Sequence, residues 1–168
     1  MRRPRDSQRG KLYRAERELA DLDEKIGKGT IAEAEAYVVS VWNTRWMRDH
    51  FPLAQLHAEP RVVDGRGTRR ATGSLYRLNL PRWSRTKLVV LHEIAHAVTP
   101  NWCAAHGREF AANFIKLVQH YMGVETARAL KQAFRANGVK YTKKRKISER
   151  RRQELREQLA AARPPTRS

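Results

Sequence analysis

Cysteine is almost missing from this chain: Cys103 stands alone among 168 residues. A single thiol cannot close an internal disulfide, which excludes a stapled scaffold and fits a reducing, intracellular setting. No stretch reaches the roughly 20 consecutive apolar residues of a membrane span. The opening Met1-Arg2-Arg3-Pro4-Arg5-Asp6 is charged and lacks the apolar segment of a secretory signal. Together these absences lead to the expectation of a cytoplasmic protein with no membrane partner. One domain is the default at this length, long enough to bury a core without staples.

Acidic residues are also scarce. Aspartate and glutamate number 17 against 35 lysines and arginines, a net charge of +18. Such a surplus attracts polyanions, nucleic acid above all, so DNA or RNA is an expected partner of the basic ends, residues 1–17 and 140–167.

What is present divides into three stretches. Residues 1–10 read as a loose basic arm and 140–168 as a basic tail that is partly helical, with 11–139 as the folded domain between them. A helix is expected over 11–26, where Leu12, Ala15, Leu19, Leu22 and Ile26 fall near helical spacing, and Gly27-Lys28-Gly29 breaks it. Thr30 and Glu33 form a capping-box pattern for a second helix reaching about residue 48, whose aromatics follow the core stripe. Residues 53–83 are expected to form strands, with 61–64 and 73–80 as the candidates. Ser84 is positioned to cap an apolar helix that ends before Pro100. Two further helices are expected, from about 106 to 123 and from 125 to 136, the last closed by Asn137-Gly138.

The apolar helix carries His92-Glu93-Ile94-Ala95-His96. Positions four apart share one helix face, so His92 and His96 can grip one ion while Glu93 reaches a water beside it. Hydrolytic zinc sites take three protein ligands and leave a position open. The third donor must come from further on, and Cys103, His106, Glu109 and His120 are the candidates. His106 ranks first, because it follows a Pro-marked break and opens the next helix; Glu109, one turn later, is the alternative. Polar groups inside an apolar helix need partners, and an ion would supply one. Tyr76, Arg77 and Tyr141 are candidate oxyanion donors. The strand near 74–80, if at a sheet edge, would pair with an extended peptide.

His92-Glu93-Ile94-Ala95-His96-Ala97 followed by His106-Gly107-Arg108-Glu109-Phe110 resembles the SprT-like zinc metallopeptidases, whose pattern is HExxH, a connection, and a His-Gly-x-x-Phe element. The resemblance spans about residues 75–121 and implies Zn²⁺ held by His92, His96 and His106, with Glu93 as general base acting on a protein or peptide substrate. No Cys-rich zinc ribbon follows the motif here. The chain is also similar to a small family of metallohydrolases from actinobacteria and their phages, through Arg5-Asp6-Ser7-Gln8-Arg9-Gly10-Lys11-Leu12-Tyr13-Arg14-Ala15-Glu16 and Leu78-Asn79-Leu80-Pro81-Arg82-Trp83. The implied fold is α+β and zincin-like: a small antiparallel sheet packed on the HExxH helix and flanking helices. Two other functions share these features. One is a nucleic-acid-binding protein with a structural or vestigial metal site. The other is an ImmA-type repressor-cleaving metallopeptidase.

Overall fold

Local chemistry sets several of the helix boundaries. The structure is a computed structural model and describes residues 5–141. Thr30 caps α2 (Ile31–Trp42). Its hydroxyl accepts the Glu33 N–H at 3.2 Å, and the Glu33 carboxylate accepts the Thr30 N–H at 2.9 Å. Both partners of the capping box are therefore in place. Gly27 and Gly29 turn the chain into that cap at φ of 50° and 76°, the left-handed region open to glycine. The helix stops at Trp42 rather than continuing to residue 48. Thr44 takes over as a second N-cap, accepting the Met47 N–H at 3.1 Å, and starts α3 (Arg45–His50). A short helix, α4 (Pro52–Leu56), replaces the start of the expected strand region, because Pro52 in its first turn gives up no helical hydrogen bond.

The first expected helix is also shorter than its spacing suggests. Helix α1 covers Arg9–Arg17 and is followed by one 3-10 turn, Ala20–Leu22. Residues 23–26 then run beside the start of α5 (Lys87–Val98). The Ile26 N–H donates to the Arg85 carbonyl at 3.1 Å, and the Lys87 N–H to the Glu24 carbonyl at 2.8 Å. Ser84 does not cap α5; its hydroxyl turns back to the Pro81 carbonyl at 2.8 Å. Asp23, distant in sequence, does the work instead by accepting the Leu88 N–H at 2.8 Å. A carboxylate there also meets the positive end of the helix dipole.

Strands β1 (Arg61–Asp64), β2 (Thr72–Gly73) and β3 (Arg77–Leu80) form one sheet in the order β1-β3-β2. The expected antiparallel sheet needs correction. β2 is antiparallel to β3, but β1 is parallel to it, with Val62 opposite Leu78 and Asp64 opposite Leu80. Parallel neighbours need a crossover rather than a hairpin, and the connection 65–76 is that crossover, carrying β2 to the far side of β3. The strand expected over 73–80 is broken by a tight turn in which Ser74 and Arg77 exchange backbone hydrogen bonds at 2.9 and 3.3 Å. Its remainder, β3, lies in the middle of the sheet, so it is unavailable for pairing with a peptide. The edge facing away from β1 belongs to β2.

The core lies where the sheet, α2, α5, α6 (Arg108–Tyr121) and α7 (Val124–Ala136) meet, and is filled by residues such as Val38, Trp42, Leu78, Leu80, Leu91, Ile94, Phe110, Phe114, Leu130 and Phe134. Arg85 is buried beneath it, with Nη2 on the Asp64 carboxylate at 2.7 Å and on the Leu80 carbonyl at 3.2 Å, and Nη1 on the Gly29 carbonyl at 3.2 Å. A buried guanidinium is tolerated when its donors are spent in this way.

Residues 5–10 are more than a loose arm. Gln8 is buried and clasps the backbone of Lys140, donating to its carbonyl at 2.9 Å and accepting its N–H at 3.0 Å. The basic tail beyond Tyr141 lies outside the described residues. Among those described, no helix is long and apolar enough to cross a membrane.

Candidate metal centre

Helix α5 is buried along nearly its whole length, so the core fixes the directions of His92 and His96. Their Nε2 atoms stand 3.1 Å apart. After Thr99 the chain turns and returns through residues 100–107 to α6, which places His106 against the same point. His106 is 4% exposed, and its ring centroid is 4.7 Å from that of His96 and 5.4 Å from that of His92. One donor atom from each of the three rings lies within 4.8 Å of the others. Zn–N bonds of 2.0–2.1 Å in a tetrahedral site would set donors about 3.3 Å apart, so the His92–His96 spacing is that of two ligands on one ion.

The polar atoms left over fit a cation. The Nε2 of His106 is buried and has no hydrogen-bond partner among the described residues, and neither does Oε2 of Glu93. Each such atom would cost about 1–3 kcal/mol if left unsatisfied. Burial, reinforced by the neighbouring His92 and His106, pushes His96 down to about 2. The ring is therefore held neutral, the form in which imidazole binds metal. Three imidazoles with no thiolate suit a borderline divalent ion such as zinc.

The second nitrogens of two of these rings are occupied. Nδ1 of His92 donates to the Glu16 carboxylate, and Nδ1 of His106 donates to Asp6 at 2.7 Å. These bonds leave each Nε2 lone pair facing the common point. Burial alone would lower His92, but the charge and hydrogen bond of Glu16 outweigh it and the ring ends raised. In His106 burial wins over the Asp6 hydrogen bond, and the ring ends lowered. Tyr13 stacks on His92 with centroids 5.6 Å apart and meets His106 edge-on at 5.1 Å; the Arg9 guanidinium lies 5.6 Å from its ring centre. On the other side Phe110 approaches His96 at 4.3 Å.

Asp6, Tyr13 and Glu16 escape a reading by helical spacing or motif. Their one signal is that all lie in the opening stretch that carries the metallohydrolase resemblance. The other third-ligand candidates do not join the cluster. Glu109 is exposed, Cys103 lies outside the group, and His120 stacks flat on Trp46 with centroids 4.0 Å apart.

Glu93 is 4% exposed, and its carboxyl is pushed up to about 7. Burial is the main cause; His92 opposes it and Glu16 adds to it. β2 lies directly over this part of α5. A Cβ on Gly73 would sit 2.1 Å from the Glu93 carbonyl oxygen, so the approach demands glycine. Beside this contact a cleft of about 650 Å³ opens between Tyr13, Thr72, Tyr76, Glu93, His96 and Trp102. Of the candidate oxyanion donors only Tyr76 lines it. No protein-family model matches the chain, and neither curated proteins nor solved structures give a match.

Proposed function

We propose that this protein is a zinc-dependent peptidase of zincin-like architecture, working on a protein or peptide substrate. The observation that carries the reading is the unpartnered, buried carboxyl oxygen of Glu93 beside three converging imidazoles, on the wall of an open cleft. A zinc ion bound by His92, His96 and His106 would supply Lewis acidity and acidify a water molecule. Glu93 accepts a proton from the attacking water and passes it to the leaving nitrogen. Desolvation makes its carboxylate a stronger base than an exposed one. Glu16 and Asp6 hold the His92 and His106 rings in one tautomer and orientation. The edge of β2 offers backbone groups to an extended peptide lying along the cleft. The net charge of +18 supports action close to nucleic acid, through the basic ends of the chain.

Glu93→Gln tests the mechanism. Proteolysis of a general protein substrate should fall on the order of 10²–10⁴-fold, with one zinc per chain retained. Cleavage at the wild-type rate in that variant would remove Glu93 from the reaction.

A further inference from the structure

Attack of water on an amide leaves a negative oxygen, and a hydrogen-bond donor aimed at it lowers the barrier. The donors expected from sequence are poorly placed for this. Arg77 and Tyr141 line neither of the cavities beside Glu93. Tyr76 lines the larger cavity, but it is 73% exposed at the rim, and its ring meets His57 edge-on with centroids 5.9 Å apart.

Helix α1 brings a phenol closer. Arg9, Tyr13 and Glu16 stand at positions i, i+4 and i+7, on one helix face, while Leu12 and Ala15 bury the neighbouring one in the core. Glu16 is fastened to Nδ1 of His92, so the first face is pinned against the imidazoles. One turn earlier, the Tyr13 ring lies at 15° to His92, with centroids 5.6 Å apart, and approaches His106 at 5.1 Å. Tyr13 and Arg9 line both the cavity of about 650 Å³ and the smaller one of about 300 Å³, as Glu93 does. The charges of Arg9, Glu93 and Glu16 all act on the Tyr13 hydroxyl. On the closed side of the cluster the covering ring is phenylalanine: Phe110 is fully buried and lies 4.3 Å from His96 and 4.9 Å from His92. Where the cluster opens to the cleft the covering ring is Tyr13, which is 37% exposed and carries a hydroxyl that packing alone does not require.

We infer that Tyr13 is a catalytic residue, whose hydroxyl donates a hydrogen bond to the substrate oxygen that becomes negative when water attacks the carbonyl carbon. The inference rests on the peptidase reading and names a further residue of that reaction. As the new C–O bond forms, the π electrons of the carbonyl move onto its oxygen, and the phenol stabilises that charge while keeping its proton. Arg9 adds positive charge on the same side of the cleft. When the C–N bond breaks, the electron pair returns to the carbonyl and the leaving nitrogen takes its proton from Glu93.

Tyr13→Phe keeps the ring and removes only the hydroxyl, and two measurements compare it with the wild type, both zinc-loaded. In casein cleavage, kcat should fall about 10²-fold while KM stays within about twofold. The second measurement does not depend on turnover. Isothermal titration uses a phosphinic alanine pentapeptide, in which a tetrahedral PO₂⁻ group stands in for the negative oxygen. The variant should bind it about 10–100-fold more weakly, with zinc affinity in a chelator competition and the thermal midpoint both unchanged. Equal binding of this probe by the two proteins, or none by the wild type, would overturn the inference. So would a matching loss of zinc affinity, which would make the phenol a metal ligand, or a loss of probe binding in Tyr76→Phe in place of Tyr13→Phe. Hydroxyl-dependent probe binding in a protein whose wild type cleaves nothing would uphold Tyr13 as the oxyanion donor and reject the peptidase reading.

Discussion

The three clustered imidazoles and the carboxylates that orient two of them come from two parts of the molecule with different mechanical character. His92 and His96 sit on α5, which is 12 residues long and buried almost throughout, and His106 leads into the 14-residue α6 through Phe110 and Phe114. These elements belong to the core whether or not a metal is present. Asp6 and Glu16 come from the start of the chain and from α1, which is 9 residues long, has no side-chain N-cap, and buries only Leu12 and Ala15 within its length. The N-terminal segment is held by those two residues, by the Gln8 clasp and by the metal-site hydrogen bonds themselves. In the proposed zinc site, affinity would thus be built on rigid ground, and tautomer control on an element that the site helps to hold down. Coupling follows from this layout: loss of the ion should loosen the N-terminal segment before it loosens α5.

Breaking the rigid half should have the largest effect. Gly73→Ala drives a Cβ into the Glu93 carbonyl, which cannot swing away as a side-chain tip can. The cost should be about 1–3 kcal/mol in a urea melt, and hydrolysis should fall further than stability alone accounts for, because β2 must lift from the cleft. A variant with wild-type stability and activity would mean that β2 does not rest on α5.

The softer half should respond more mildly. Asp6→Asn and Glu16→Gln should each weaken zinc binding about 10–100-fold in a competition titration with a chelator, leaving the circular dichroism spectrum intact. Hydrogen exchange with and without chelator sharpens the contrast. Amides of residues 9–17 should exchange faster once metal is removed, and those of residues 88–98 should not. Uniform loosening of both helices would show that the two regions are one cooperative unit.

The smallest effect belongs to the α2 cap, away from the site. Thr30→Ala should cost roughly 1 kcal/mol without altering zinc affinity. Glu33, fixed by the Thr30 and Lys28 N–H groups, is lowered from 4.5 to about 2. A depressed carboxylate contributes stability that is fully present above its unfolded pKa and is lost as pH falls through its folded one. The melting-temperature gap between wild type and Glu33→Gln should therefore be constant above about pH 5 and close between 4.5 and 2. A gap that widened on acidification would contradict the assigned hydrogen bonds.

Signals carried within one turn of chain were legible from sequence. The Thr30–Glu33 capping box, the histidines one turn apart, and the helix end at Asn137-Gly138 all sit where local chemistry puts them. His106 joined the others because Pro100 and a short return loop leave it few other places. What escaped the sequence depends on distant partners. Glu16 and His92 are 76 positions apart, Asp6 and His106 are 100, and no periodicity links them. Asp23 displaced Ser84 as the cap of α5 for the same reason, since a carboxylate from another segment competes with the nearest hydroxyl. The parallel pairing of β1 with β3 is a matter of crossover, to which strand alternation is blind.

Zinc K-edge absorption on the purified protein, with elemental analysis, tests most directly whether one divalent ion sits on the three imidazoles. One zinc per chain is expected, with three histidine nitrogens at about 2.0 Å and one oxygen, and less than stoichiometric metal in His106→Ala. Full zinc occupancy in His106→Ala, or a wild-type spectrum lacking three-imidazole scattering, would contradict that arrangement.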